Sequence, residues 1–182
     1  MPKSGPTQPN KTGTSTPNDV VMTPQETANW IVDYYKPTGR VLEPCRGDGK
    51  FYNRPEFTDW CEISEGLDFF DFNDKVDWII TNPPFSIYDA FLTKAFEVAD
   101  NVVFFCPINK MCKSQRIDRM IEEYGGLKEV ILMGGGGLHD FPFGFPVGCL
   151  YYKRNHKGDI KWTRNYPIRK EDRTLDFPII PK

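Results

Sequence analysis

KVDWIITNPPF, residues 75–85, decides how the rest of the chain is read. Val76, Trp78, Ile79 and Ile80 make an apolar run of strand length that ends in Asn82-Pro83-Pro84-Phe85. Two consecutive prolines fix two φ angles and remove two backbone donors, so the strand stops there with carbonyls turned outward. Working outward, RVL (40–42) reads as a short buried strand entering EPCRGDG (43–49), and DWCEI (59–63) as a second strand. Downstream, Ser86 caps a helix reaching Val98, followed by a strand over 101–106, a helix over 113–124 and a strand over 129–133. A Gly-rich connection, 134–146, leads to strands over 147–153 and 160–163, with the turn Lys157-Gly158-Asp159 between them. Upstream, Thr23-Pro24-Gln25-Glu26 starts a helix, with a hydroxyl N-cap, proline at the first position and Glu three after the cap. Strands alternating with helices, closed by a hairpin, give an α/β fold: a doubly wound, mostly parallel sheet whose last strand is antiparallel.

At 182 residues, 39% hydrophobic and 26% charged, the chain has core enough for one domain. Residues 1–19 carry Pro2, Pro6, Pro9 and Pro17 among Ser, Thr, Gly and Lys, and read as a disordered arm before a domain over 20–182. No apolar run approaches the roughly 20 residues of a membrane helix, and no basic-then-apolar leader opens the chain. Five cysteines without a C-x-x-C pair imply neither a disulfide framework nor a metal site, so the expectation is reduced thiols in a cytoplasmic compartment. Net charge is −2, unevenly placed: residues 151–182 hold nine Lys/Arg against four Asp/Glu, a net +5, which leaves −7 on the remainder. A basic end on an acidic body suits either an anionic substrate or a solvated hairpin.

In open α/β sheets ligands bind beyond the carboxyl ends of strands, and three segments fall there. In the first, Gly47 and Gly49 remove side chains where a ligand approaches the backbone, although glycines after a strand also mark plain turns. The second holds Glu62, 19 residues after Glu43, the spacing of an acid that binds ribose hydroxyls. Asp68-Phe69 follows it, a polar and aromatic pair suited to an adenine amino group and ring. The third is Asn82-Pro83-Pro84-Phe85. The Asn82 side-chain oxygen and the Pro83 carbonyl form a rigid pair of acceptors for an exocyclic amino group, and Phe85 offers a flat face for stacking.

Thr23-Pro24, Val41-Leu42-Glu43-Pro44 with Gly47-Asp48-Gly49, Asp68-Phe69 and Asn82-Pro83-Pro84-Phe85, in that order, resemble the S-adenosylmethionine-dependent amino-methyltransferases. The resemblance is greatest to the DNA adenine-N6 class whose cofactor motifs precede the catalytic one. It implies a Rossmann-like class I methyltransferase domain with S-adenosylmethionine as cofactor. Thr23 and the loop with Glu43, Pro44, Cys45, Gly47 and Gly49 would hold the methionine part, Glu62 the ribose, and Asp68 with Phe69 the adenine. Asn82, Pro83, Pro84 and Phe85 would form the catalytic motif. The same motif serves enzymes acting on RNA base amino groups or protein glutamine amides, and a catalytically silent nucleic-acid-binding module on this fold is a further alternative.

The resemblance implies DNA as partner, with weak sequence preference, since no separate target-recognition domain fits. The residues offered for DNA contact are Phe141, Phe143 and Phe145 of the 134–146 loop, and Lys153, Arg154, Lys157, Lys161, Arg164, Arg169, Lys170 and Arg173. The phenylalanines equally suit a loop packing its own rings. The links 50–57 and 63–74 are too short for full crossover helices, yet with Trp60 they hold Phe51, Tyr52, Phe57, Phe69, Phe70 and Phe72. Either these fold inward as a substitute core or they form a patch for a homodimer, the reading favoured at this point.

Overall fold

The computed structural model describes residues 21–164 apart from 113 and 143. The 1–19 arm, Phe143, and the basic positions Arg169, Lys170 and Arg173 lie outside the described residues. Along the chain come α1 (Gln25–Tyr35), β1 (Val41–Glu43), β2 (Asp59–Trp60), β3 (Val76–Thr81), α2 (Tyr88–Val98), β4 (Ala99–Pro107), α3 (Gln115–Tyr124), β5 (Gly125–Gly135), β6 (Pro146–Arg154) and β7 (Lys161–Thr163). The strands form one sheet in the order β2-β1-β3-β4-β6-β5-β7. β1 to β4 pair in parallel, β6 runs antiparallel to both β4 and β5, and β7 is parallel to β5.

This is the mostly parallel α/β sheet with an antiparallel hairpin and few helices that the sequence predicts. The hairpin, however, joins β5 to β6, and β7 does not pair with β6. The ladder explains why: β6 is paired from Val147 to Lys153 on β4 and from Pro146 to Arg154 on β5, a length that three-residue β7 cannot match.

Period-two geometry sorts the core between two faces. On β4, Val102, Phe104 and Cys106 pack with α2 and α3, while Val103 and Phe105 pack with α1. The amphipathic spacing of α3 buries Ile117, Ile121 and Tyr124, and its N-cap Ser114 accepts from the Ile117 N–H at 3.4 Å. The other helix starts differ from expectation. α1 takes Pro24 as N-cap without a side-chain hydrogen bond, leaving Thr23 buried, and α2 starts behind Ile87 in place of Ser86.

Between β2 and β3 the chain makes only short 3-10 turns, Ile63–Glu65 and Phe69–Asp71. Phe51 and Phe57 fill the α1 face and Phe69 the α2–α3 face, while Tyr52, Trp60, Phe70 and Phe72 are half-buried. Each buried ring contributes about 1.5–3 kcal/mol, replacing part of what a helix would bury. The aromatics are therefore the substitute core. Ile63 and Leu67 of the second link stay exposed, at 55% and 46%, and the homodimer remains a proposal.

Gly148 of β6 faces Cys106 and Leu132 across its two ladders. A Cβ there would lie 1.9 Å from the Ile131 carbonyl oxygen, so the backbone must separate to admit one. Gly148→Ala is expected to destabilise the fold by about 3 kcal/mol in urea unfolding, and an unchanged midpoint would refute this close approach.

Candidate active site

Because β1, β2 and β3 are parallel, their carboxyl ends share one edge of the sheet, and the three segments singled out in the sequence meet there. They enclose a cavity of about 540 Å³. Pro44, Cys45, Gly47, Glu62, Asp68, Phe69, Asn82 and Pro84 line it. Thr23 and Glu43 line an adjoining recess of about 40 Å³, shared with Cys45, Gly47 and Asn82. Gly49, Pro83 and Phe85 line neither.

The two loop glycines do different work. Gly49 (φ +80°) closes a turn, its N–H donating to the Arg46 carbonyl at 2.8 Å. Gly47 (φ +53°) borders the cavity, and its amide is already engaged, donating to Glu62 Oε2 at 2.7 Å. That bond fixes the Glu62 carboxylate against the loop.

Glu43 is 2% exposed and accepts the Tyr52 N–H at 2.5 Å. Burial pushes its carboxyl up to about 9, the Tyr52 amide pulling the other way. A neutral acid buried at the end of a recess is suited to a cation that restores its charge. Glu62 is the opposite case. Its burial works upward, but hydrogen bonds from the Ser64 side chain and amide and from Gly47, with the Arg46 guanidinium, hold the carboxyl below its ordinary value. It is therefore an ionised acceptor at the cavity wall, with lone-pair capacity left for hydroxyl donors. Asp68 Oδ1 accepts the Phe70 N–H at 2.9 Å, and the Phe69 ring packs on Phe91 with centroids 4.7 Å apart. Phe69 is nearly all buried, so it contributes a wall more than a free stacking face.

Asn82 lines both the cavity and the recess. Its Nδ2 donates to the Val21 carbonyl at 2.8 Å, which fixes the amide orientation because a carbonyl only accepts. Its Oδ1 is buried and has no partner. An orphaned buried acceptor costs about 1–3 kcal/mol, which an incoming N–H donor would recover. Phe85 packs away from the cavity, its ring 6.3 Å from that of Phe141, and its carbonyl accepts from Lys110 Nζ at 3.0 Å. The sequence reading missed Val21, Met22, Ile63, Ile87 and Phe91 in the cavity wall. The four-residue step from Ile87 to Phe91, directly after the Pro-Pro turn, is the one local signal that points there.

No family model and no curated protein sequence matches this chain. Solved structures do. A Listeria monocytogenes protein assigned as a class I S-adenosylmethionine-dependent methyltransferase aligns at a TM-score of 0.63 with 10% identity, covering 82% of this chain and 67% of its own. A modification subunit assigned to a type I restriction enzyme of Vibrio vulnificus aligns at 0.56 with 14% identity, over 90% of this chain and 52% of its own. The type I restriction-modification methyltransferase subunit of Streptococcus thermophilus aligns at 0.52 with 14% identity, over 76% of this chain and 45% of its own. The fold is that of the class I methyltransferases. This chain spans about half the length of the two modification subunits.

Within this methyltransferase fold, direction along the sheet corrects the expected DNA contacts. β6 is antiparallel, so Lys153 and Arg154, paired with Asn101 and Gly125 at the starts of β4 and β5, lie at the edge opposite the cavity. Arg154 is also engaged with Asp100 and the Phe96 and Ala99 carbonyls, and Lys157 with the Glu122 carbonyl. Lys161 pairs with Glu129. Basic groups at the cavity edge include Arg46 and Lys50, which line the recess, and Lys110 after β4. Phe141 is buried against Phe105 and His139, so it packs its own loop, while Phe145 is 61% exposed. Among the described residues no helix is long and apolar enough to cross a membrane.

Proposed function

We propose that this chain transfers a methyl group from S-adenosylmethionine to the N6 amino group of adenine in DNA. The orphaned Asn82 Oδ1, held beside a cavity that also presents Glu62 and Asp68, carries the reading. The residues fit the cofactor: Glu43 would hold its ammonium, Glu62 its ribose hydroxyls and Asp68 its adenine amino group. The bound cofactor supplies an activated methyl on a sulfonium, so no covalent enzyme intermediate is needed.

The work left to the chain is placement. Asn82 accepts from the target N–H and orients the nitrogen for in-line attack at about 3–3.5 Å. Its hydrogen bond strengthens as nitrogen gains positive charge, contributing about 1–3 kcal/mol to the transition state. Pro83 and Pro84 keep the acceptors from relaxing, and Ile87, Phe91 and Phe70 exclude water from the cavity. A duplex adenine must leave the stack to reach this site. Adenine in DNA is favoured over an RNA base or a protein amide by the motif order in the sequence and by likeness to modification subunits of type I restriction enzymes.

The test is methylation with labelled S-adenosylmethionine on unmethylated DNA, RNA and a protein lysate, beside calorimetry with the cofactor. Label in DNA recovered as N6-methyladenine is expected. Label in RNA or protein alone would overturn the acceptor, and absence of both label and cofactor binding would leave the silent nucleic-acid-binding module.

A further inference from the structure

Cys45 sits where the loop after β1 meets the loop after β3. Its thiol donates to the Asn82 carbonyl oxygen at 3.2 Å, and its sulfur lies 2.9 Å from Thr81 Oγ1. With the thiol proton on Asn82, the Thr81 hydroxyl donates to sulfur, making one chain from Thr81 O–H through Cys45 S–H to Asn82 C=O. Thr81 is fully buried and ends β3 directly before Asn82. On its other side Asn82 is held through Nδ2 by the Val21 carbonyl. Main chain and side chain are thus both fixed, while Oδ1 is left without a partner.

We propose that Cys45 is a positioning residue for the transfer and not a cofactor ligand: its thiol fixes the Asn82 main chain and so the direction in which Oδ1 meets the target amino group. The inference rests on the role given to Asn82 above. Burial pushes the Cys45 thiol well above its ordinary range, against the pull of the Thr81 hydrogen bond, so it remains a protonated donor. A thiolate would repel the carbonyl it now holds. The same bond makes the glycine loop and the Pro-Pro turn move together, so a displacement near Gly47 reaches Asn82 through one contact.

Cys45→Ala is expected to lower kcat about tenfold through misplacement of Asn82, with the Kd for S-adenosylmethionine within about threefold of wild type. Cys45→Ser keeps an O–H donor and should restore most of the rate. Thr81→Val should give a smaller loss that does not add to that of Cys45→Ala. The Asn82 side-chain amide signals, assigned by their disappearance in Asn82→Ala, should shift in Cys45→Ala and return in Cys45→Ser, whether or not the protein turns over. Wild-type kcat in Cys45→Ala, or unmoved amide signals, would overturn the proposal. So would a weakened cofactor Kd in both variants, which would make Cys45 a cofactor contact. If Cys45→Ala does not fold, Cys45→Ser and Thr81→Val carry the comparison, and unmoved signals in Thr81→Val then overturn it. If the wild-type protein transfers no methyl group, the proposed activity falls while the amide signals still decide the role of Cys45.

Discussion

Asn82→Ala is expected to reduce methyl transfer by about 10²-fold, the scale on which losing a preorganised transition-state hydrogen bond acts, with cofactor affinity within about threefold. The selectivity follows from geometry. Asn82 Oδ1 is the orphaned acceptor, whereas the carboxylates proposed to hold the cofactor belong to other segments. Asn82→Asp separates the two halves of the amide. It keeps an acceptor but loses the donor to Val21 and sets a carboxylate against that carbonyl, so it should fall between wild type and alanine. Single-turnover rates on unmethylated duplex, beside calorimetric cofactor affinity, read both quantities. Equal turnover in Asn82→Ala would remove Asn82 from the chemistry.

The second large effect concerns Glu43. Its folded carboxyl titrates near 9 against 4.5 for the exposed group. In the free protein it is neutral at pH 7, and it must lose its proton to face an ammonium. Cofactor binding should therefore release one proton and tighten about tenfold per pH unit from pH 5 up to about 8, where the cofactor amine itself begins to titrate. Between there and pH 9 the affinity should level. Glu43→Gln should abolish the slope and weaken binding at pH 8 by about 10–100-fold.

Stability should move the other way. The raised folded value means the unfolded chain ionises first, so Glu43 costs the free protein stability progressively as pH climbs from 4.5 towards 9. Glu43→Gln should match wild type in urea unfolding near pH 4 and exceed it at pH 8. A variant less stable than wild type at pH 8, or pH-independent cofactor affinity in the wild type, would show that Glu43 carries its charge before the cofactor arrives.

Much of this was written locally. The apolar runs of β3 and β4, and the Pro-Pro stop after Thr81, are enough to place parallel strands whose carboxyl ends carry polar turns. What escaped depends on long-range partners. Gly125 and Gly126 look like breakers, yet they begin β5, because a Cβ at Gly125 would lie 2.3 Å from the Lys153 carbonyl of the neighbouring strand. The turn at 157–159 resembles a hairpin, but β6 already has full-length neighbours on both sides. Charge counting placed basic residues near the substrate because a count carries no direction along the sheet. Thr23 matched a capping pattern that the buried side chain does not use. At the site, neither the Val21 hold on Asn82 nor the Gly47 hold on Glu62 has any signature in local spacing.

Because β5 runs in the direction of β4 and β6 returns beside it, Gly135 pairs with Pro146 to close a turn at the edge that bears the cavity, where Phe141 packs against Phe85. Gly137 and Gly144 in that turn have open space around them. Lengthening a loop costs only about 0.6 kcal/mol per doubling. A new segment grafted there would extend the rim of the site while leaving both ladders of β6 intact. That turn is the natural port at which a designer could reshape access to the site.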